Sequence, residues 1–282
     1  MPTIAVFDSG FGGLTVLRAL LPLIPSARFL YLGDTARLPY GAKSRQTVAR
    51  YAISSAEFLL AQGADMLVVA CNTASALALD ELKAALPIPV VGVIEPGVQA
   101  AARTTKTSRH PERSEGPPYL SSYPMAQILV LATAATVQSH AYATAFAALN
   151  LTAYEKACPL LVPLVEEGWV DHPVTAEVLK IYLAEALAEA PTVRTLVLGC
   201  THYPLLASLI ARTLAELGHP LEIVDSATAT AQAAAKLLPA TSAIAQAAPT
   251  FYATDSIEKF QRLGSAFLGQ PLPEVKLIDL GG

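Results

Sequence analysis

Cysteine is scarce in this chain: three in 282 residues, with no Cys-x-x-Cys. That argues against a disulfide framework and leaves too few ligands at short spacing for a structural zinc site. Free thiols in a reducing compartment fit better, so a cytoplasmic location is expected. Long apolar runs are also missing; none approaches the roughly 18 residues of a membrane-spanning helix. The N-terminus lacks the basic start and small-residue cleavage site of a signal peptide. Its strand pattern begins at once, at Thr3, so no extension carrying a regulatory site is expected ahead of it. Positive charge is not in excess: 19 Lys and Arg face 23 Asp and Glu, for a net charge of −4. Without a basic field, nucleic acid is not an expected partner. Charged residues of either sign make up only 15%, whereas hydrophobic residues reach 53%, enough to bury a sizeable core. The length suits two domains.

Against these absences stands a pattern that occurs twice. Met66-Leu-Val-Val-Ala-Cys-Asn-Thr73 and Leu196-Val-Leu-Gly-Cys-Thr-His-Tyr203 each run through β-branched and apolar residues to a small residue and then a Cys. Hydroxyl and amide side chains follow, and then a helical pattern (Ala74 to Ala85, Pro204 to Leu217). This predicts two buried parallel strands, with Cys71 and Cys200 at their carboxyl ends and a helix N-terminus behind each. Open α/β sheets place their chemistry at that end. A helix N-terminus also lowers a thiol pKa, because its free N–H groups favour the thiolate. Two such thiols suggest two half-sites that face each other.

The remaining pattern fits around them. Thr3-Ile-Ala-Val-Phe-Asp8 predicts a first strand that runs into Asp8-Ser-Gly-Phe-Gly-Gly-Leu14. Such a Gly-rich turn either faces an anion with its amides or lets a helix pack closely on its sheet. Its glycines, at 10, 12 and 13, do not match the dinucleotide fingerprint. Asp8 is more pointed, since a carboxylate at a strand's carboxyl end has little structural use. After a strand at Arg28 to Gly33, the run Asp34-Thr-Ala-Arg-Leu-Pro-Tyr-Gly41 reads either as a surface loop or as a cover that brings Tyr40 and Gly41 to a ligand. Ser44 to Gln62 predicts an amphipathic helix, and Pro87 to Val93 a strand ending at Ile94-Glu-Pro-Gly97. Arg103 to Met125, with four prolines and mixed charge, reads as a surface loop or linker. A domain boundary is expected just before it.

Ile128 to Ala132 restarts the strand pattern, with Thr133 and Thr136 at its end and a helix over about Val137 to Ala148. Two prolines keep Cys158 to Gly168 from forming one regular helix, and Cys158 reads as a small core residue. Pro173 to Ala188 and Ala227 to Leu238 predict helices, with Leu221 to Ser226 a strand between them in the chain. Thr250 to Asp255 is a short strand. Asp255 and Glu258 read as a capping pair for the last helix, and Val275 to Ile278 as a closing edge strand. Alternating strands and helices predict an α/β protein with mostly parallel sheets.

Two thiols on opposite faces of a ligand suit stereoinversion. One, as thiolate, removes a proton from a carbon; the other, as thiol, delivers a proton to the opposite face. Asp8 and His202 are the available acid–base partners, with Glu166 a third. His202 reaches Cys200 if the turn after the strand folds back; otherwise it caps the helix or bonds within the core. A Cys71–Cys200 redox pair is the alternative, and it requires close Cα atoms and an oxidising setting.

Six motifs in order, Phe7-Asp-Ser-Gly-Phe-Gly-Gly-Leu14, Asp34 to Gly41, Ala70-Cys-Asn-Thr-Ala74, Val93-Ile-Glu-Pro-Gly97, Cys158 to Gly168 and Gly199-Cys-Thr-His-Tyr-Pro204, resemble those of glutamate racemases. The resemblance runs from residue 4 to about 226. It implies two similar α/β domains with mostly parallel sheets facing a central cleft. Residues 1–97 and 227–282 would form the first, and 98–226 the second, with a polar insert at about 103–125. It implies interconversion of L- and D-glutamate without pyridoxal cofactor or metal. Cys71 would take the α-proton from D-glutamate with help from Asp8. Cys200 would take it from L-glutamate with help from Glu166 and His202. Asp8, Ser9, Pro39, Tyr40, Gly41, Asn72, Thr73, Thr201 and His202, joined by Thr133 and Thr136, would hold the substrate. The implied role is D-glutamate supply for peptidoglycan and cell shape, by a cytoplasmic homodimer with no membrane or nucleic-acid partner. Two departures stand out: the long polar stretch from Arg103 to Met125, and Ala132 before Thr133, where the family usually carries glycine. A two-cysteine aspartate racemase on the same fold, and a binding protein, are the rival expectations.

Overall fold

The Val-, Ile- and Leu-rich runs become strands whose side chains are buried on both faces, as parallel sheets covered by helices require. A computed structural model describes residues 1–107, 127–238 and 247–281. Among them the strands are β1 (Thr3–Asp8), β2 (Arg28–Gly33), β3 (Met66–Val69), β4 (Val90–Gly92), β5 (Ile128–Ala132), β6 (Ala153–Ala157), β7 (Thr195–Gly199), β8 (Glu222–Asp225), β9 (Thr250–Ala253) and β10 (Val275–Leu277). They form a six-stranded sheet in the order β10-β9-β2-β1-β3-β4 and a four-stranded sheet in the order β6-β5-β7-β8. Every pairing is parallel. The protein therefore has the expected α/β architecture, and each sheet with its helices forms one lobe.

Both sheets share a local plan. β1 sits between β2 and β3, as β5 sits between β6 and β7. The chain thus moves outward in opposite directions from β1 and from β5. The crevice opened by such a reversal lies at the carboxyl ends of β1 and β3 in one lobe and of β5 and β7 in the other. Those four ends carry Asp8, Cys71, Thr133 and Cys200.

Several boundaries differ from the sequence reading. The helix after Cys71 is two pieces, Asn72–Leu77 and Leu79–Ala85, broken where Ala78 leaves helical φ. The helix expected at Val137 starts earlier, at Ala134, on a cap made by Thr133. It then turns at His140 (φ 53°) into Ala141–Ala147. A 3₁₀ turn, Tyr203–Leu206, precedes the helix Ala207–Glu216. Ile94-Glu-Pro-Gly97 is not a strand end but the first turn of the helix Ile94–Thr107, where proline is tolerated because its missing N–H has no intrahelical partner. Residues 103–107 of the expected linker are therefore helical, and the rest of that stretch, through 125, lies outside the described residues. Asp255 and Glu258 do not form the expected capping pair. Ser256 is left-handed (φ 53°) with no side-chain cap, and Asp255 instead accepts from the Ser256 N–H at 2.7 Å. Strand β6 was not expected at all. It is a half-buried edge whose Glu155 and Lys156 break the apolar signal, as charge on an edge strand usually does.

Candidate active site

The crevices of the two lobes close on a single cavity of about 150 Å³. Its wall includes Ser9, Pro39, Tyr40, Gly41, Cys71, Asn72, Thr73, Thr133, Glu166, Cys200, Thr201 and His202. All of these were expected from sequence. Asp8 and Thr136 stand behind that wall; both are completely buried. Asp8 Oδ2 accepts from the Gly10 N–H at 2.9 Å, and its Oδ1 from the Thr201 hydroxyl at 3.4 Å. Thr136 bonds the hydroxyls of Thr73 (3.2 Å) and Thr133 (3.0 Å), which are themselves 3.0 Å apart. Three hydroxyls from both lobes thus form one cluster.

Cys71 caps the helix Asn72–Leu77, its sulfur accepting from the Ala74 N–H at 3.4 Å. The thiol donates to the Ser9 hydroxyl at 3.5 Å. A helix N-terminus favours thiolate, yet here burial wins. Burial, with the Asp8 charge behind it, pushes the Cys71 thiol up to about 12, against the Ser9 and Ala74 bonds. The expectation of a lowered pKa therefore fails for this thiol. Burial also raises the Asp8 carboxyl, against the pull of His202 and of the Gly10 and Gly13 amides.

Cys200 is served differently. The turn after β7 does fold back, and His202 Nδ1 lies 3.9 Å from the Cys200 sulfur. Its Nε2 is 3.4 Å from Glu166 Oε1, inside ion-pair distance but out of line for a hydrogen bond. Burial alone would lower the imidazole pKa. Cys200, Glu166 and Asp8 outweigh it and hold an imidazolium up to about 10. Burial likewise opposes the Glu166 charge, but His202 and Lys259 keep that carboxyl below its usual range. Lys259 Nζ lies 3.1 Å from Glu166 Oε2.

The remaining wall corrects or extends the sequence reading. Cys158 is fully buried as expected of a core residue, and it also borders the cavity. Its thiol is turned toward the Lys156 carbonyl (3.6 Å), and burial pushes it up to about 12. Asp34 is not on a surface loop. It is buried, takes both oxygens to the Arg37 guanidinium and accepts from the Tyr40 hydroxyl at 2.5 Å, which fixes the Tyr40 ring at the cavity. Tyr142 was missed. Its buried hydroxyl donates to Asn72 Oδ1 at 2.6 Å across the lobes. Nothing local marks it, because it lies 70 positions away in a helix. Apolar Leu38, Val162 and Pro163 are also part of the wall. No group of three or more His, Cys, Asp and Glu placed to hold a metal occurs among the described residues, and all three cysteines are free. No helix described is long and apolar enough to cross a membrane.

The arrangement offers two thiols, each with an acid–base neighbour, around a space lined by hydroxyls and amides. Such a set can move protons to and from a small polar ligand, with little water to compete.

Residues 15–234 match the family model described as Asp/Glu/Hydantoin racemase. A glutamate racemase from Koribacter versatilis is 48% identical over 307 aligned residues, covering 100% of this chain and 98% of its own. Among solved structures, a glutamate racemase from Francisella tularensis in complex with D-glutamate superposes with a TM-score of 0.83 at 32% identity, over 99% of this chain and 98% of its own. One from Escherichia coli, in complex with L-glutamate and the activator UDP-MurNAc-ala, gives 0.76 at 26% identity, over 100% and 99%.

Proposed function

Because the chain belongs to the Asp/Glu/Hydantoin racemase family, we propose that it is a glutamate racemase that inverts its substrate between Cys71 and Cys200. The observation that carries this is the pair of thiols, each at the switch point of its own lobe, lining one small cavity with different acid–base partners. The Cys71 thiolate takes the α-proton of D-glutamate, and the Cys200 thiol gives a proton to the opposite face. For L-glutamate the roles reverse. The proton removed stays on the receiving sulfur, so each turnover exchanges the states of the two thiols, and proton exchange or reverse turnover resets them.

The α-proton is a very weak acid beside an ionised carboxylate. Its removal depends on hydrogen bonds already aimed at the charge that develops, in a closed site. Ser9, Asn72, Thr73, Thr133 and Thr201 line the cavity without Lys or Arg among them. Hydroxyls and amides of this kind bind two carboxylates without a fixed ion pair that would have to be broken at each turnover. The substrate ammonium brings the positive charge that the buried Cys71 lacks, favouring its thiolate only when the site is filled. Asp8 assists that thiol; His202 and Glu166 assist the other. Pro39, Tyr40 and Gly41 close the cavity over the substrate, and Thr136 steadies the hydroxyl cluster. We take residues 1–97 with 227–282, and 98–226, as the two domains that close on it. The enzyme acts as a cytoplasmic homodimer without cofactor or nucleic-acid partner, and supplies D-glutamate for peptidoglycan.

The test is α-proton exchange from each glutamate enantiomer in deuterium oxide, for wild type, Cys71→Ser and Cys200→Ser. Wild type should invert glutamate with deuterium incorporation, and each variant should lose turnover by about 10³-fold. Inversion of aspartate but not glutamate would keep the fold and displace the substrate. Exchange with neither would end the racemase reading.

A further inference from the structure

Cys200, His202 and Glu166 form a chain of contacts that does not stop in its own lobe. Glu166 closes the short helix Leu161–Glu166, between β6 and β7. Its outer oxygen meets Lys259, which lies on the helix Ile257–Leu268 between β9 and β10, in the opposite lobe. The same helix sets Phe267 edge-on against the His202 ring, with centroids 5.2 Å apart. Lys259 itself lies over the Phe11 ring, 5.7 Å from its centroid, in the turn that follows β1. It does not border the cavity. Resting on the two-thiol reading above, we propose that Lys259 is a positioning residue for the Cys200 half-reaction: from across the cleft it holds Glu166 against the His202 ring, and through that ring it sets the Cys200 thiol.

The groups that bear on this chain can be named from each side. Glu166 faces Lys259 from one lobe and His202 from its own. His202 faces Cys200, Glu166 and Asp8. Removing the Lys259 cation therefore leaves Glu166 with one positive partner instead of two. Its carboxyl pKa rises, it protonates earlier as pH falls, and the imidazolium loses the anion that holds it. Among the described residues the Cys71 thiol bonds Ser9 and its own helix, and it feels this chain only through Asp8, which faces both it and His202, and through Cys200 itself. The lesion falls mainly on the Cys200 side.

One-sidedness cannot be read from kcat/KM alone. A racemase has an equilibrium constant of one, so its two values of kcat/KM fall together whichever step is damaged. Primary isotope effects separate the steps. With α-deuterated L-glutamate, proton removal is the work of Cys200; with the D-enantiomer it is that of Cys71.

The experiment compares wild type, Lys259→Met and Lys259→Arg by isotope effect and by the pH dependence of kcat/KM. Met keeps an unbranched stem over Phe11, and melting temperature reports that the fold is intact. Lys259→Met should lower kcat/KM by about 10-fold and raise the isotope effect for L- relative to D-glutamate. Its acid limb should move upward by about one pH unit. Lys259→Arg should return all three toward wild type. In a Glu166→Gln background, Lys259→Met should add little, because the two act as one pair. An acid limb that stays in place, together with an unchanged ratio of isotope effects, would overturn the proposal whatever happens to the rate. Wild type in the same assay keeps the two readings apart: without glutamate inversion by wild type the proposed function falls, and with it only the role of Lys259 is at issue.

Discussion

Cys71 and Cys200 occupy equivalent positions in their two sheets, yet the groups in direct contact with the two sulfurs differ. Behind Cys71 stands a carboxyl with no exposed surface, and the side chain its thiol bonds is a neutral hydroxyl. Beside Cys200 an imidazolium, a carboxylate and an ammonium follow one another out to a half-exposed lysine. The backbone plan fixes where a thiol sits; the side chains around it fix which acid–base partners it has. That division suits two-base chemistry, in which one sulfur takes a proton while the other gives one. The buried Cys71 rests as a thiol, raised to about 12, while the raised His202 keeps a proton next to Cys200.

The sharpest way to break the comparison is to push one lobe off the other next to Cys200. A Cβ at Gly12 would fall 2.2 Å from Thr201 Oγ1 and 2.8 Å from His202 Nδ1. Gly12→Ala should displace both and lower kcat/KM by about 100-fold, the cost of roughly 1 Å of misplacement at a reacting group. Binding of a substrate analogue, measured by calorimetry, should weaken much less.

A smaller effect concerns stability. The folded pKa of His202 is raised to about 10 from its ordinary 6.5. Its stabilising contribution is therefore complete below the unfolded value and is lost as pH rises through the folded one. Urea midpoints should fall between about pH 6.5 and about pH 10, by an amount worth a few kcal/mol at most, and His202→Gln should flatten that slope. Cys71, raised from 9.0 to about 12, loses its own contribution mainly above that window. A slope that survives in His202→Gln would mean that the two sides titrate alike.

The smallest effect sharpens what both lobes hold in common. Thr136→Val removes one hydroxyl from the cluster with Thr73 and Thr133. Stability should drop by about 1 kcal/mol and KM rise about three-fold, with kcat nearly unchanged. Chemical denaturation and steady-state kinetics check both.

How much of this was legible in the sequence depended on the range of the interaction. The strands that carry Asp8, Cys71 and Cys200 announce themselves, because burial on both faces demands unbroken apolar runs. Strand β6 does not, because one exposed edge is enough to admit Glu155 and Lys156. Pro96 and Gly97 read as punctuation but sit in the first turn of a helix that permits them. Within the site, the residues near the strand ends are legible, and Glu166 and Pro39 to Gly41 are legible through their motifs; helical residues outside any motif are not. Tyr142 and Lys259 meet their partners across 70 and 93 positions, and an ordinary helical Tyr or Lys carries no mark of a distant partner. The helix N-terminus beside Cys71 favours thiolate locally, and burial, which only the folded chain determines, outweighs it.

The interleaving of the two sheets also sets an order of assembly on the ribosome. The four-stranded sheet comes from one unbroken span, Ile128–Asp225, and has all its strands once that span has emerged. The six-stranded sheet holds the first strands to be translated but waits for β9 and β10 before its far edge exists. Domains usually complete in the order of synthesis; here the lobe begun first is completed second. Cys71 and Cys200 are both in place on the nascent chain well before Lys259 is added, so the last of the described helices brings the final contacts behind Glu166 and His202.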